Sequence, residues 1–191
     1  MMRYSYLVIV LLFLPFVFLA QRDSTNVIVN QFIDSLENSG VQKILNIKYG
    51  VGYIDKCTTD KFYVVWEQDS STGIAQFHCS QRDTVIYQKL AELFLFFEEN
   101  VDSISKQKVK PFSPEENAII MPSHYFQFRC TTRGNLKSVH NSFSFFGLRE
   151  FDPRKKSIQN INFEYNKAVY VVMWEKMIWQ ELVKAGLEKE R

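Results

Sequence analysis

The chain is poor in the residues that build special architectures. Its 191 residues include three cysteines, five prolines, seven glycines and three histidines. Three cysteines exclude a disulfide-dense mini-scaffold. So few glycines and prolines exclude collagen-like and low-complexity chains. Charge of one sign is missing as well. The 23 Lys and Arg face 21 Asp and Glu, without the basic excess of a nucleic-acid-binding domain. No G-x-S-x-G, G-x-x-x-x-G-K-[ST] or G-x-G-x-x-G occurs, so nucleophile-elbow and phosphate-loop chemistries lack their motifs. C-x2-C, H-x3-H and H-E-x-x-H are also missing, and neither a metal nor a cofactor is expected. The chain has no Asn-x-Ser/Thr glycan acceptor.

Aromatic residues are abundant. There are 17 Phe, 9 Tyr and 3 Trp, and hydrophobic residues make up 46% of the chain. That composition belongs to a chain with a packed core and not to a disordered one.

Residues 1–20 read MMRYSYLVIVLLFLPFVFLA. Arg3 precedes an apolar run from Leu7 to Leu19, and Ala20 is a small residue at its end. A short basic region, an apolar stretch and a small terminal residue describe an export signal. The run falls short of the roughly 20 residues a membrane helix needs, and Pro15 interrupts it. We therefore expect a signal peptide over 1–20 and a single globular domain over 21–191. With no cysteine near residue 20, a lipoprotein is not expected. The mature protein is expected to be periplasmic or extracellular, with no stable membrane span. Cleavage removes one basic residue, Arg3, of the 23.

Periodicity orders the mature chain. Ile28, Phe32 and Leu36 form an apolar stripe over a helix from Ser24 to Asn38, which Gly40 can end. Strands are expected at 47–57, 61–68 and 74–80, the last two joined through Asp69–Gly73. Gly50 and Gly52 point to a bulge or a close backbone approach. A second helix is expected over 84–99, from the spacing of Ile86, Leu90, Leu93, Phe94 and Phe97. A polar connection spans 100–122, with a capping box at Ser113–Glu116 and a short helix over 114–120. Strands follow at 123–132 and 137–147, and an edge strand at 158–165. A long amphipathic helix closes the chain from Asn166 to Gly186, its start open to a strand reading.

The fold class predicted is α+β. It is an antiparallel sheet of five to six strands in the order α-βββ-α-ββ(β)-α, with helices packed on one face. This element order resembles that of type III secretion chaperones and the related YbjN-type domains over most of the mature chain. No motif accompanies the resemblance, and it implies nothing about activity.

Candidate site residues are few. Export favours oxidation, and Cys79 and Cys130 are the better disulfide pair, closing a loop of about 50 residues. The alternative is buried free thiols. His124, Cys130 and Cys79 are the candidates for a catalytic Cys-His pair. His124 and Cys130 share a strand face about 20 Å apart, so they do not meet within that strand. Trp66, Phe126, Phe128 and Trp174 are candidates for an apolar ligand pocket, against core packing as the simpler role. Carboxylates such as Glu67, Asp69, Glu164, Glu175 and Glu181 show no pairing. The expected function is an exported, non-catalytic binding module for a protein partner or an apolar small molecule. An exported hydrolase assembled from distant polar residues is one alternative. The other is an inhibitor or immunity-type protein that uses the 100–122 connection.

Overall fold

A computed structural model of the chain describes residues 25–51, 60–68, 71–78, 81–88, 91–112, 124–132, 137–153 and 156–191. The expected signal peptide, Cys57, Cys79 and the capping box at 113–116 lie outside the described residues. Among the described residues, no helix is long and apolar enough to cross a membrane.

Helix α1 spans 25–38. It stops at Gly40, whose positive φ of 86° turns the chain. Val41 N–H bonds Leu36 C=O at 3.1 Å and Gly40 N–H bonds Glu37 C=O at 3.1 Å, the paired bonds of a glycine-terminated helix. Four strands follow: β1 (Lys43–Val51), β2 (Lys61–Gln68), β3 (Ser71–His78) and β4 (Gln81–Gln88). Next come α2 (Ala91–Lys106), β5 (His124–Thr132) and β6 (Lys137–Ser144). A 3-10 turn (Phe145–Leu148), α3 (Phe163–Lys167) and α4 (Tyr170–Lys184) complete the order. The strands make one antiparallel sheet in the order β4-β3-β2-β1-β5-β6. The α+β class and the antiparallel sheet stand as expected.

Both faces of this sheet are covered. On one, α1 places Val29 and Leu36 over Ile44, Phe62, Val64, Trp66, Ala75 and Phe77. On the other, α2 and α4 place Leu93, Phe97, Trp174 and Ile178 over Leu45, Ile47, Tyr63, Val65, Phe126 and Phe128. The expectation of helices on one face is corrected. Residues 62–66 are almost continuously apolar, so this strand feeds both faces and needs cover on both.

Other elements differ in place. Residues 84–88 are strand, not helix. Their apolar spacing fits a helix, yet Thr84-Val85-Ile86-Tyr87 is β-branched and aromatic, and it completes a ladder with β3. Helix α2 starts later and runs to Lys106, bending at Asn100 (φ −118°, ψ 16°). The start of the expected connection is therefore helical. The expected edge strand at 158–165 reduces to one bridge, Phe151–Gln159, before α3. The long last helix is broken at Ala168–Val169 into α3 and α4.

Two close approaches shape the sheet. Gly73 lies opposite Trp66, and a Cβ there would fall 2.1 Å from the indole. Glycine thus lets the ring lie across β3. At Gly50, a Cβ would meet the Tyr125 ring at 2.5 Å, which is the close approach anticipated for that residue.

Buried amides tie the loops beside the sheet. Asn166 donates to Gly147 C=O (2.7 Å) and Lys110 C=O (3.0 Å) and accepts from Lys110 N–H (2.8 Å). Asn160 donates to Gly147 C=O and Arg149 C=O. Buried backbone groups in such loops need partners, and these side chains supply them.

Candidate functional site

Among the described residues, the sequence-derived candidates do not assemble into a reactive site. Cys130 is a buried free thiol, and burial pushes its pKa well up, which suppresses the thiolate. Cys79, its expected disulfide partner, lies outside the described residues. His124 is exposed at the start of β5, six residues from Cys130. His140 is exposed on β6 and paired with the Gln127 amide at 2.9 Å. Among the described residues, no group of three or more His, Cys, Asp or Glu gathers to hold a metal.

The aromatic candidates divide between the faces. Phe126, Phe128 and Trp174 meet on the α2/α4 side, with Phe128 and Trp174 edge to face at 4.9 Å. Trp174 also donates its indole N–H to Leu93 C=O at 3.0 Å. Trp66 lies on the opposite face, edge to face with Phe32 of α1 at 5.4 Å. All four are buried and act as core. A shallow depression of about 590 Å3 is lined instead by Arg149–Pro153 and Lys156.

The polar chemistry collects elsewhere, where α4 crosses the α2/α4 face near the end of β1. Tyr49 of β1 sits 5.1 Å from Trp179 of α4, edge to face. It also stacks at 6.3 Å on Phe145, with ring planes 17° apart. Beneath them lies Glu175, one helical turn before Trp179, with its side chain 2% exposed. Tyr49 donates its hydroxyl to Glu175 Oε1 at 3.1 Å.

Arg191 fills this box. Its guanidinium carbon lies 3.4 Å from the Trp179 ring centre, 4.6 Å from Phe145 and 5.2 Å from Tyr49. Arg191 Nη1 donates to Glu175 Oε1 at 2.9 Å. A cation over aromatic faces with a desolvated carboxylate behind it is a favourable electrostatic arrangement. The Trp179 indole N–H is buried and finds no acceptor among the described residues.

The turn after α4 brings Arg191 there. Gly186 has φ 73°. Leu187 N–H bonds Leu182 C=O and Gly186 N–H bonds Val183 C=O, each at 2.9 Å. These bonds end the helix and fold the following residues back over the sheet. Glu188 then reaches β2, where Lys61 Nζ meets it at 2.6 Å and the Tyr63 hydroxyl donates to it.

Burial raises the Glu175 pKa, against the opposing pull of the Arg191 charge and the Tyr49 hydrogen bond. Burial and the Glu175 charge raise the Tyr49 pKa. Burial and Glu188 raise that of Tyr63. Both phenols therefore stay protonated at neutral pH. They serve as hydrogen-bond donors and not as bases.

Sequence reasoning counted Glu175 among unpaired carboxylates, named Trp179 with Trp66 and Trp174 as an aromatic that could line a pocket, and did not single out Tyr49, Phe145 or Arg191 as site residues. One signal was present. Glu175 shares the apolar stripe of Ile178, Trp179 and Leu182, and a carboxylate on a buried stripe calls for a partner.

No protein-family model matches the chain, and no curated protein matches it.

Proposed function

We propose that the chain is an exported, non-catalytic binding module whose contact site is the box of Tyr49, Phe145, Trp179 and Glu175. The observation that carries this reading is the box itself, a recognition geometry without a nucleophile. Its phenol is held protonated, its carboxylate takes two donors on Oε1, and the Cys130 thiol is buried away from it. The aromatic core under α2 and α4 is filled by its own side chains. That favours a protein segment over an apolar small molecule as the partner. Export to the periplasm or the extracellular space follows from the signal-like residues 1–20.

The test has two arms. Full-length chain expressed in a bacterial host is fractionated and its intact mass measured, with cleavage after Ala20 as the expected result. The mature protein is then titrated with alkylammonium, guanidinium, carboxylate and aromatic probes while amide resonances are followed. Saturable shifts confined to Tyr49, Phe145 and Trp179 are expected, with no turnover of a hydrolase substrate panel. Turnover abolished by His124→Ala, or no site-specific shift with any probe, would refute the binding reading.

A further inference from the structure

On the binding reading above, we propose that the box is specific for the guanidinium of an arginine-bearing peptide segment, and that residues 187–191 are its resident, displaceable ligand. The walls are built without the segment: Tyr49 is fixed by β1, Trp179 and Glu175 by α4, and Phe145 by the turn after β6. Removing Arg191 would leave Glu175 buried with one recorded donor, the Tyr49 hydroxyl. An uncompensated buried carboxylate is costly, so the site demands a cation.

The shape of the box selects among cations. A planar guanidinium can lie on Trp179 and still direct an N–H in its own plane at Glu175, which a compact ammonium does less well. The second anchor lies three residues earlier. The Glu188 carboxylate, 7% exposed, is held by Lys61 and by Tyr63. The segment is thus read at two points, an acid and an arginine. The Trp179 indole N–H lies buried without an acceptor among the described residues.

Leu187 and Glu188 donate their backbone N–H groups to Leu182 C=O, and beyond Glu188 the resident segment is held by the Arg191 side chain. Arg191 is 41% exposed, and beyond Glu188 the segment makes no recorded backbone hydrogen bond among the described residues. A tether of five residues gives a high effective concentration, roughly millimolar. A partner must outcompete it, which makes residues 187–191 a built-in threshold on binding.

The probe is the acetylated, amidated peptide Leu-Glu-Lys-Glu-Arg, with versions ending in citrulline and in lysine. It is titrated by calorimetry into the wild-type chain and into Arg191→Ala and Arg191→Gln, which vacate the box. The expected result is saturable binding to both variants, at least tenfold weaker to wild type. The citrulline peptide is expected to bind at least tenfold more weakly, and the lysine peptide severalfold more weakly. Adding Glu175→Gln to Arg191→Ala is expected to remove binding. Equal affinity of wild type and variants, equal affinity of citrulline or lysine peptide, or no binding to either variant would overturn the proposal. So would unfolding of both variants, which would make Arg191 a structural clamp. If the peptide fails while another probe class still shifts the box residues, the ligand class is wrong and the binding reading stands.

Discussion

Under α1, the sheet presents Phe62, Val64, Trp66, Ala75 and Phe77, and α1 answers with Val29, Phe32 and Leu36. At the edge of that face Lys48 pairs with Asp60 at 2.8 Å. Under α2 and α4, the sheet is as apolar at its centre but ends in Tyr49, Tyr63, Glu175, Glu188 and Arg191. Both faces are aromatic-rich. On the α1 side the rings mainly close a core, with Lys48 over Phe62 and Tyr125 at its edge, and on the α4 side they frame the Arg191–Glu175 pair. Aromatic content alone therefore does not mark a site. The mark is a carboxylate buried among the rings, because burial of a charge is tolerated only where something compensates it.

The largest expected effect breaks the core of the α4 side. Trp174→Ala removes a fully buried ring packed on Phe97 and Phe128 and a hydrogen bond to Leu93. A loss of about 3–5 kcal/mol is expected in urea unfolding. On the α1 side, Gly73→Ala drives a methyl into Trp66. It is expected to cost about 1–3 kcal/mol through overpacking, with a changed Trp66 fluorescence as a second readout.

Next is the charge beneath the rings. Folded Glu175 holds its proton more tightly than the unfolded chain does. Its contribution to stability is therefore greatest at low pH and is lost as pH rises from the ordinary carboxylate range through the raised folded value. Arg191 opposes that rise. In Arg191→Ala the folded pKa climbs further, so the loss extends to higher pH. The difference in urea midpoint between wild type and Arg191→Ala is expected to widen from pH 4 to pH 8. A difference independent of pH would separate Arg191 from Glu175.

The smallest effect is at the surface. Lys167→Ala removes an exposed pair with Glu164 at 3.5 Å, and it should change stability by less than about 0.5 kcal/mol. A larger change would mean that charge matters as much outside the box as within it.

Much of the fold was legible in the sequence. The stripe of Ile28, Phe32 and Leu36 followed by Gly40 marked α1 and its end. The alternation of Phe126, Phe128 and Cys130 marked the inward side of β5. β4 was hidden because Ile86 stands in helical phase with the residues of α2, and single-sequence periodicity does not separate a strand that runs directly into a helix. The face assigned to α1 was hidden because 62–66 is apolar on both sides. The site was harder still. Tyr49 and Arg191 lie at opposite ends of the described chain, and no local spacing joins them. Only Glu175 on the α4 stripe pointed inward.

The most direct measurement is the proton chemical shifts of the Arg191 side chain. Stacking at 3.4 Å on Trp179 places its δ methylene and Nε–H in the ring's shielding cone. We expect both signals upfield of their values in an unfolded peptide, returning to them in Trp179→Leu or on saturation with the arginine peptide. Unfolded-peptide shifts in the wild-type chain would mean that the box does not hold Arg191, and the account of this face would be wrong.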